Sequence, residues 1–173
     1  MKQLIIPALL ALMIAGCSST PDGSEQDGAP VESRNSGVAT VNAGGIDGRN
    51  LPAVLTDPKS ILSKRSVYFD YDKYEVKAEY KDLVTAHAKF LVGNRQFKML
   101  IQGNTDDRGS REYNLALGQK RADAIKQMLT LLGAREDQVE SVSLGEEKPK
   151  NEGQNEAAWA ENRRGDMLYT GEF

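Results

Sequence analysis

Apolar and aromatic residues alternate with polar ones in SVYFDYD, residues 66–72, a pattern that predicts a β-strand. The period then lengthens. Leu83, Val84, His87, Phe90 and Leu91 recur at helical spacing and predict a helix over 76–92, with Gly93 as its stop signal. QFKMLIQG (96–103), VESVSLG (139–145) and DMLY (166–169) predict three further strands. Between them, Ser110 is the expected N-cap of a helix that has Glu112 in its first turn, ends at Gly133 and carries Ile125, Met128 and Leu132 as its apolar stripe. NEAAWAENRR (155–164) predicts a short last helix. The order β-α-β-α-β-α-β implies an α/β fold, an α+β sandwich with helices packed on a sheet, over residues 61–173.

Upstream of residue 61 the pattern changes character. Lys2 precedes the apolar run LIIPALLALMIAG (4–16), which falls short of the roughly 20 residues of a membrane span and predicts a signal peptide over 1–16. Cys17, the single cysteine of the chain, has no partner for an internal disulfide or a CxxC metal site. Its setting, IAGC at 14–17, resembles the bacterial lipobox, so Cys17 is expected to become an acylated N-terminus. Each buried methylene of such a group contributes about 0.8 kcal/mol, and several chains make a durable anchor. Ser18 in place of Asp looks like the outer-membrane form of the sorting signal. The stretch from Ser18 to Lys59 is rich in Gly, Ser, Asp, Asn and Pro and has no aromatic residue, so residues 17–60 are expected to be a lipidated tether. A flexible chain of that length averages roughly 35 to 40 Å end to end, which gives the folded part reach.

A chain of 173 residues with this tether has room for one core. The net charge of −3 and the lack of a long basic run argue against a nucleic-acid partner, which needs a concentrated positive field. Enzymatic signatures are weak. His87 is the only histidine and falls among apolar helix positions, where a structural residue with satisfied nitrogens is expected rather than a general base. No serine sits in a nucleophile elbow and no lysine in a phosphate loop. Asp106 and Asp107 lack the alternating acids of a calcium loop, and Arg108 beside them opposes a cation. Neither a cofactor nor a metal site is expected.

Binding accounts better for GNTDDRGSREYNLALGQKRA, residues 103–122. Asp106 lies where a strand ends and a helix is about to start, the usual ligand edge of an α/β sheet. Four residues before Ile125, in line with the apolar stripe, stands Arg121. A charge there needs a partner. Three arrangements satisfy it: an arginine snorkelling from the stripe's edge, a structural Asp106–Arg121 salt bridge, or a zwitterionic ligand with its ammonium on Asp106 and its carboxylate on Arg121. A buried salt bridge predicts a large stability loss when either residue is removed, whereas a ligand cleft predicts lost binding with little loss of stability. Helical rise puts Arg121 about 16 Å from the start of its helix, so convergence requires the loop to fold back.

YFDYD (68–72), IQGNTDDRGSREYNLALGQKRADAIK (101–126), VSLGEEKP (142–149) and NEAAWAENRR (155–164) together resemble the OmpA-like peptidoglycan-binding domain in the form carried by outer-membrane lipoproteins. The resemblance implies a mixed sheet with helices on it. It further implies that Asp106 and Arg121 hold the free end of meso-diaminopimelate in the peptidoglycan stem peptide, with Tyr71, Asp72 and Leu117 lining the same groove. The implied partners are peptidoglycan, TolB with the other Tol proteins, and the outer membrane through a lipid on Cys17, the domain facing the periplasm. The implied role is to link membrane to wall for envelope integrity and constriction in division. Two alternatives stand beside it, a lipoprotein of this domain type that binds wall without TolB and a periplasmic wall-modifying hydrolase. Gly165 and Asp166 stand where apolar strand residues are common in the family, which leaves the extent of the last strand after Arg164 open.

Overall fold

The computed structural model describes residues 51–173; the expected signal peptide, Cys17 and most of the expected tether lie outside the described residues. The elements are α1 (Ala53–Thr56), β1 (Ser66–Tyr68), α2 (Lys81–Gly93), β2 (Met99–Asn104), α3 (Arg111–Leu131), β3 (Val139–Gly145), α4 (Glu156–Asn162) and β4 (Arg164–Tyr169). The four strands form one mixed sheet in the order β1-β4-β2-β3, with β2 and β3 parallel and β4 antiparallel to both its neighbours. This is the α/β architecture expected from the alternation of periods.

One face of the sheet is covered. Val67, Met99, Ile101, Met167 and Tyr169 are buried against Val84, Ala88 and Leu91 of α2 and Ala122, Ile125 and Leu129 of α3, while the alternate positions Leu100, Gln102, Asp166 and Leu168 stay half-buried. The core starts earlier than composition predicted: α1, assigned to the tether, inserts Leu55 at 2% exposure. Arg65 fixes it there by donating to Leu55 O at 3.1 Å while pairing with Glu172 at 3.1 Å. One buried leucine in a polar stretch has no periodicity to announce it.

Two further expectations need correction. The inward stripe of α3 runs Leu117, Arg121, Ile125 and Leu129, a strict i, i+4 series, and not Ile125, Met128 and Leu132. Leu132 caps the helix and is 41% exposed, and Met128 is only partly buried. The first strand is shorter than the run 66–72, because the chain turns at Tyr71 and Asp72, where Asp72 takes a left-handed φ of 54°. The last strand, by contrast, is complete, and the two residues that left its extent open fit there for opposite reasons. Gly165 faces α3, where a Cβ would lie 2.4 Å from the Ile125 side chain. Asp166 faces the other way and accepts hydrogen bonds from Ser66 Oγ (2.6 Å) and Arg164 Nε (2.9 Å).

The seat of α3 on the sheet is a backbone contact. A Cβ on Gly103 of β2 would fall 1.8 Å from the carbonyl oxygen of Gly118, and one on Gly118 would fall 2.2 Å from Ser143 Oγ of β3. Only two residues without side chains allow helix and strand to approach so closely. Just past this contact the β2–β3 register shifts between Gly103 and Asn104, and the chain leaves the sheet as the loop 105–110.

Candidate functional site

Loop 105–110 ends at Ser110, whose Oγ accepts from Tyr113 N at 3.2 Å and starts α3 as expected. Gly109 turns the chain with φ 113°. The loop folds back over α3 and, with the turn after β1, encloses a cavity of about 120 Å³ lined by Tyr71, Asp72, Asp106, Arg108, Leu117 and Arg121, among others. All five binding residues singled out from the sequence, Asp106, Arg121, Tyr71, Asp72 and Leu117, therefore line one cavity.

Arg121 is fully buried, in line with its position in the stripe. It does not form the salt bridge with Asp106 that was one of the expected arrangements, nor does it snorkel. Its Nε donates to Lys73 O (2.9 Å), Nη1 to Asn104 O (2.9 Å) and Nη2 to Asp70 O (3.2 Å). These carbonyls come from the turn after β1 and the end of β2, so the guanidinium fastens the two segments that form the cavity to α3. Three of its five N–H donors are used, and two are left over. Burial pulls the pKa of Arg121 down to about 10, opposed by the nearby charge of Asp106, so it stays cationic at neutral pH.

Asp106 finds its cations elsewhere. Arg108 Nη2 donates to its Oδ2 at 2.7 Å and Arg163 Nη1 to the same oxygen at 3.2 Å, while Arg108 N donates to Oδ1 at 3.3 Å. Burial pushes the Asp106 carboxyl up, but the hydrogen bonds from Arg108 and Arg163 outweigh it and hold the group below its usual value. Arg163 is itself locked, donating from Nε to Phe69 O (3.1 Å) and from Nη2 to Glu156 Oε1 (2.7 Å). At the rim, Asp72 accepts from the Tyr113 hydroxyl, and Tyr71 is 58% exposed. Leu117 supplies an apolar wall. The cavity thus brings a buried cation, two carboxylates and a short hydrophobic surface within reach of one small molecule.

Sequence reasoning missed Arg163, Arg108 as a contact of the site, and Trp159, whose ring lies 4.1 Å from the Arg108 guanidinium. A signal for Arg163 exists: two successive arginines entering a strand must face opposite sides, so one of them turns inward and needs an acid. His87 is what the sequence suggested. It is buried with Nδ1 2.8 Å from Tyr169 Oη and Nε2 2.9 Å from Lys64 O, so both nitrogens are committed to structure.

The OmpA family model matches residues 68–163, which span the turn after β1, the loop, α3 and Arg163. The chain belongs to the OmpA family. Within the OmpA family it is similar to the peptidoglycan-associated lipoprotein of Pseudomonas putida, 40% identical over 160 residues that cover 91% of this chain and 92% of that one. The peptidoglycan-associated lipoprotein of Pasteurella multocida is 49% identical over 104 residues, 60% of this chain and 69% of the relative. Among solved structures, that of the peptidoglycan-associated lipoprotein from Burkholderia pseudomallei superposes with a TM-score of 0.66 at 56% identity, covering 67% of this chain and 98% of that one. The C-terminal domain of Helicobacter pylori MotB, at 16% identity and a TM-score of 0.58 over 62% of this chain and 84% of that one, shares the OmpA-family fold.

Proposed function

We propose that this chain is an outer-membrane lipoprotein of the Tol–Pal system that binds peptidoglycan without a covalent bond, through the meso-diaminopimelate of the stem peptide. The observation that carries the reading is the placement of buried Arg121 and of Asp106 and Asp72 around one small cavity. The free end of diaminopimelate bears an ammonium and a carboxylate on one carbon, followed by methylenes. Arg121 offers its two spare N–H donors to the carboxylate, the two aspartates attract the ammonium, and Leu117 covers the methylenes. Relatives named peptidoglycan-associated lipoprotein, matched over most of this chain, support the assignment to wall and membrane. Cys17 carries the lipid that holds the domain on the periplasmic side of the outer membrane, which raises its effective concentration at the wall. TolB binds over the same edge, linking the anchor to envelope constriction. The role is recognition rather than catalysis.

Titration of the full chain with a diaminopimelate stem peptide and with its lysine counterpart tests the reading, since lysine keeps the ammonium and lacks the carboxylate. Binding of the first, at least about tenfold weaker binding of the second and loss of both in Asp106→Asn are expected, because a site built for a charged group rejects an analogue that leaves its buried polar groups unpaired. Equal affinity for the two peptides would remove Arg121 from the ligand's carboxylate and with it the proposal.

A further inference from the structure

The seat on Asp106 is already taken. Of the four lone-pair positions of that carboxylate, Oδ2 gives both of its own to Arg108 and Arg163, and Oδ1 gives one to the backbone N–H of Arg108. One remains, too few for an ammonium group with three donors. The two arginines differ in how they are held. Arg163 is 7% exposed and each of its three nitrogens has an acceptor. Arg108 is 30% exposed, projects from a loop next to Gly109, and keeps a buried Nε that has no partner. Its guanidinium lies between the rings of Tyr71 (4.3 Å) and Trp159 (4.1 Å), with Glu156 3.5 Å from Nη1. Planar stacking of this kind holds a cation without a directional lock.

We infer that Arg108 is an internal stand-in for the ligand's ammonium, occupying the Asp106 site in the free protein and leaving it when a zwitterion enters. The inference rests on the reading of the cavity as a diaminopimelate site and adds how that site is controlled. With Arg108 seated, Arg108 and Arg121 line the cavity and Arg163 backs Asp106, so an incoming ammonium is repelled; with Arg108 withdrawn, Oδ2 regains a lone pair and Asp106 and Asp72 dominate one side. The two cation–aromatic contacts and the ion pairs with Asp106 and Glu156 are what the ligand must displace. The side chain that departs is a guanidinium with aqueous surface already available to it, so opening requires no movement of α3 or of the sheet. Arg108 accordingly sets a threshold: the ligand binds only as tightly as its contacts exceed those of the stand-in, and a ligand with an ammonium but no carboxylate for Arg121 does not exceed them.

Trp159 is the only tryptophan of the chain and touches Arg108, so its fluorescence reports the displacement. The test titrates diaminopimelate stem peptide into the full chain and into Arg108→Gln, following heat and tryptophan emission together, with melting curves to establish that the variant is folded. If the seated form exceeds the open one about tenfold, its removal tightens the apparent affinity about tenfold. The wild-type chain is expected to change its emission in step with binding, and Arg108→Gln to bind more tightly with a smaller change. Wild-type binding with unchanged emission, or an Arg108→Gln chain that binds no better than wild type, overturns the inference and leaves the diaminopimelate reading standing. Absence of binding in both chains overturns the two together.

Discussion

Two groups of buried polar side chains lie in this domain, and they are finished to different degrees. In the first, His87 bonds through both nitrogens to Tyr169 and Lys64, and Gln138 donates to Leu91 O (3.0 Å) and Phe97 O (3.1 Å) while accepting from Arg135 N (3.3 Å). In the second, around the loop after β2, Asn104, Thr105, Arg108 and Trp159 each keep a buried polar atom without a protein partner, four of the six such atoms among the described residues. Unmatched buried groups are costly and are retained where something else matches them. The first group holds segments together; the second keeps hydrogen-bonding capacity to spare beside the cavity at which the proposed ligand enters. Arg121 belongs to both, since it spends three donors on the fold and keeps two.

That double membership predicts the largest effect. Arg121→Ala orphans three backbone carbonyls and leaves a cavity beneath Phe69, so it should lower unfolding free energy by roughly 3 to 5 kcal/mol as well as end ligand binding. This departs from the ligand-cleft expectation of little stability loss, and denaturant unfolding checks it: a loss below about 1 kcal/mol would show the carbonyl contacts to be incidental.

The closed group responds to acid. Burial lowers the pKa of His87 to about 4 from 6.5, so between those values the unfolded chain binds a proton that the folded chain refuses. Stability is then complete above pH 6.5 and falls as the pH drops from 6.5 toward 4, by about 1.4 kcal/mol per unit and about 3 kcal/mol in all. Unfolding curves across this window should show that slope in the wild-type chain and a flatter one in His87→Gln; parallel slopes would move the acid sensitivity to another group.

The smallest stability effect belongs to the open rim. Tyr71 is 58% exposed, and Tyr71→Ala should change stability by no more than about 0.5 kcal/mol while weakening stem-peptide binding severalfold. A melting point shifted as far as that of Arg121→Ala would erase the distinction between rim and floor.

The alternation of periods made the sheet and the principal helices legible, and Ser110 and Gly133 marked the ends of α3 because capping is local chemistry. Arg121 was legible as a charge inside an apolar stripe. What lay beyond reach was decided by contacts between distant segments: Leu55 under the core, Arg163 behind Asp106, and three carbonyls, not an acid, around Arg121. Backbone acceptors are present at every residue and so leave no trace in a sequence, whereas a missing acid partner invites the wrong one to be supplied.

Gly103 precedes Asp106 by three residues and Gly118 precedes Arg121 by three. The place where the two glycines touch is therefore a common datum from which both ends of the cavity are measured. Contacts between side chains yield to a change of rotamer, and a helix resting on them can drift; a carbonyl resting against an α-carbon has no rotamer to change. The gauge between the cavity's acid and its base is kept by atoms that are absent, so a single added methyl, touching no ligand, would throw both out of true at once.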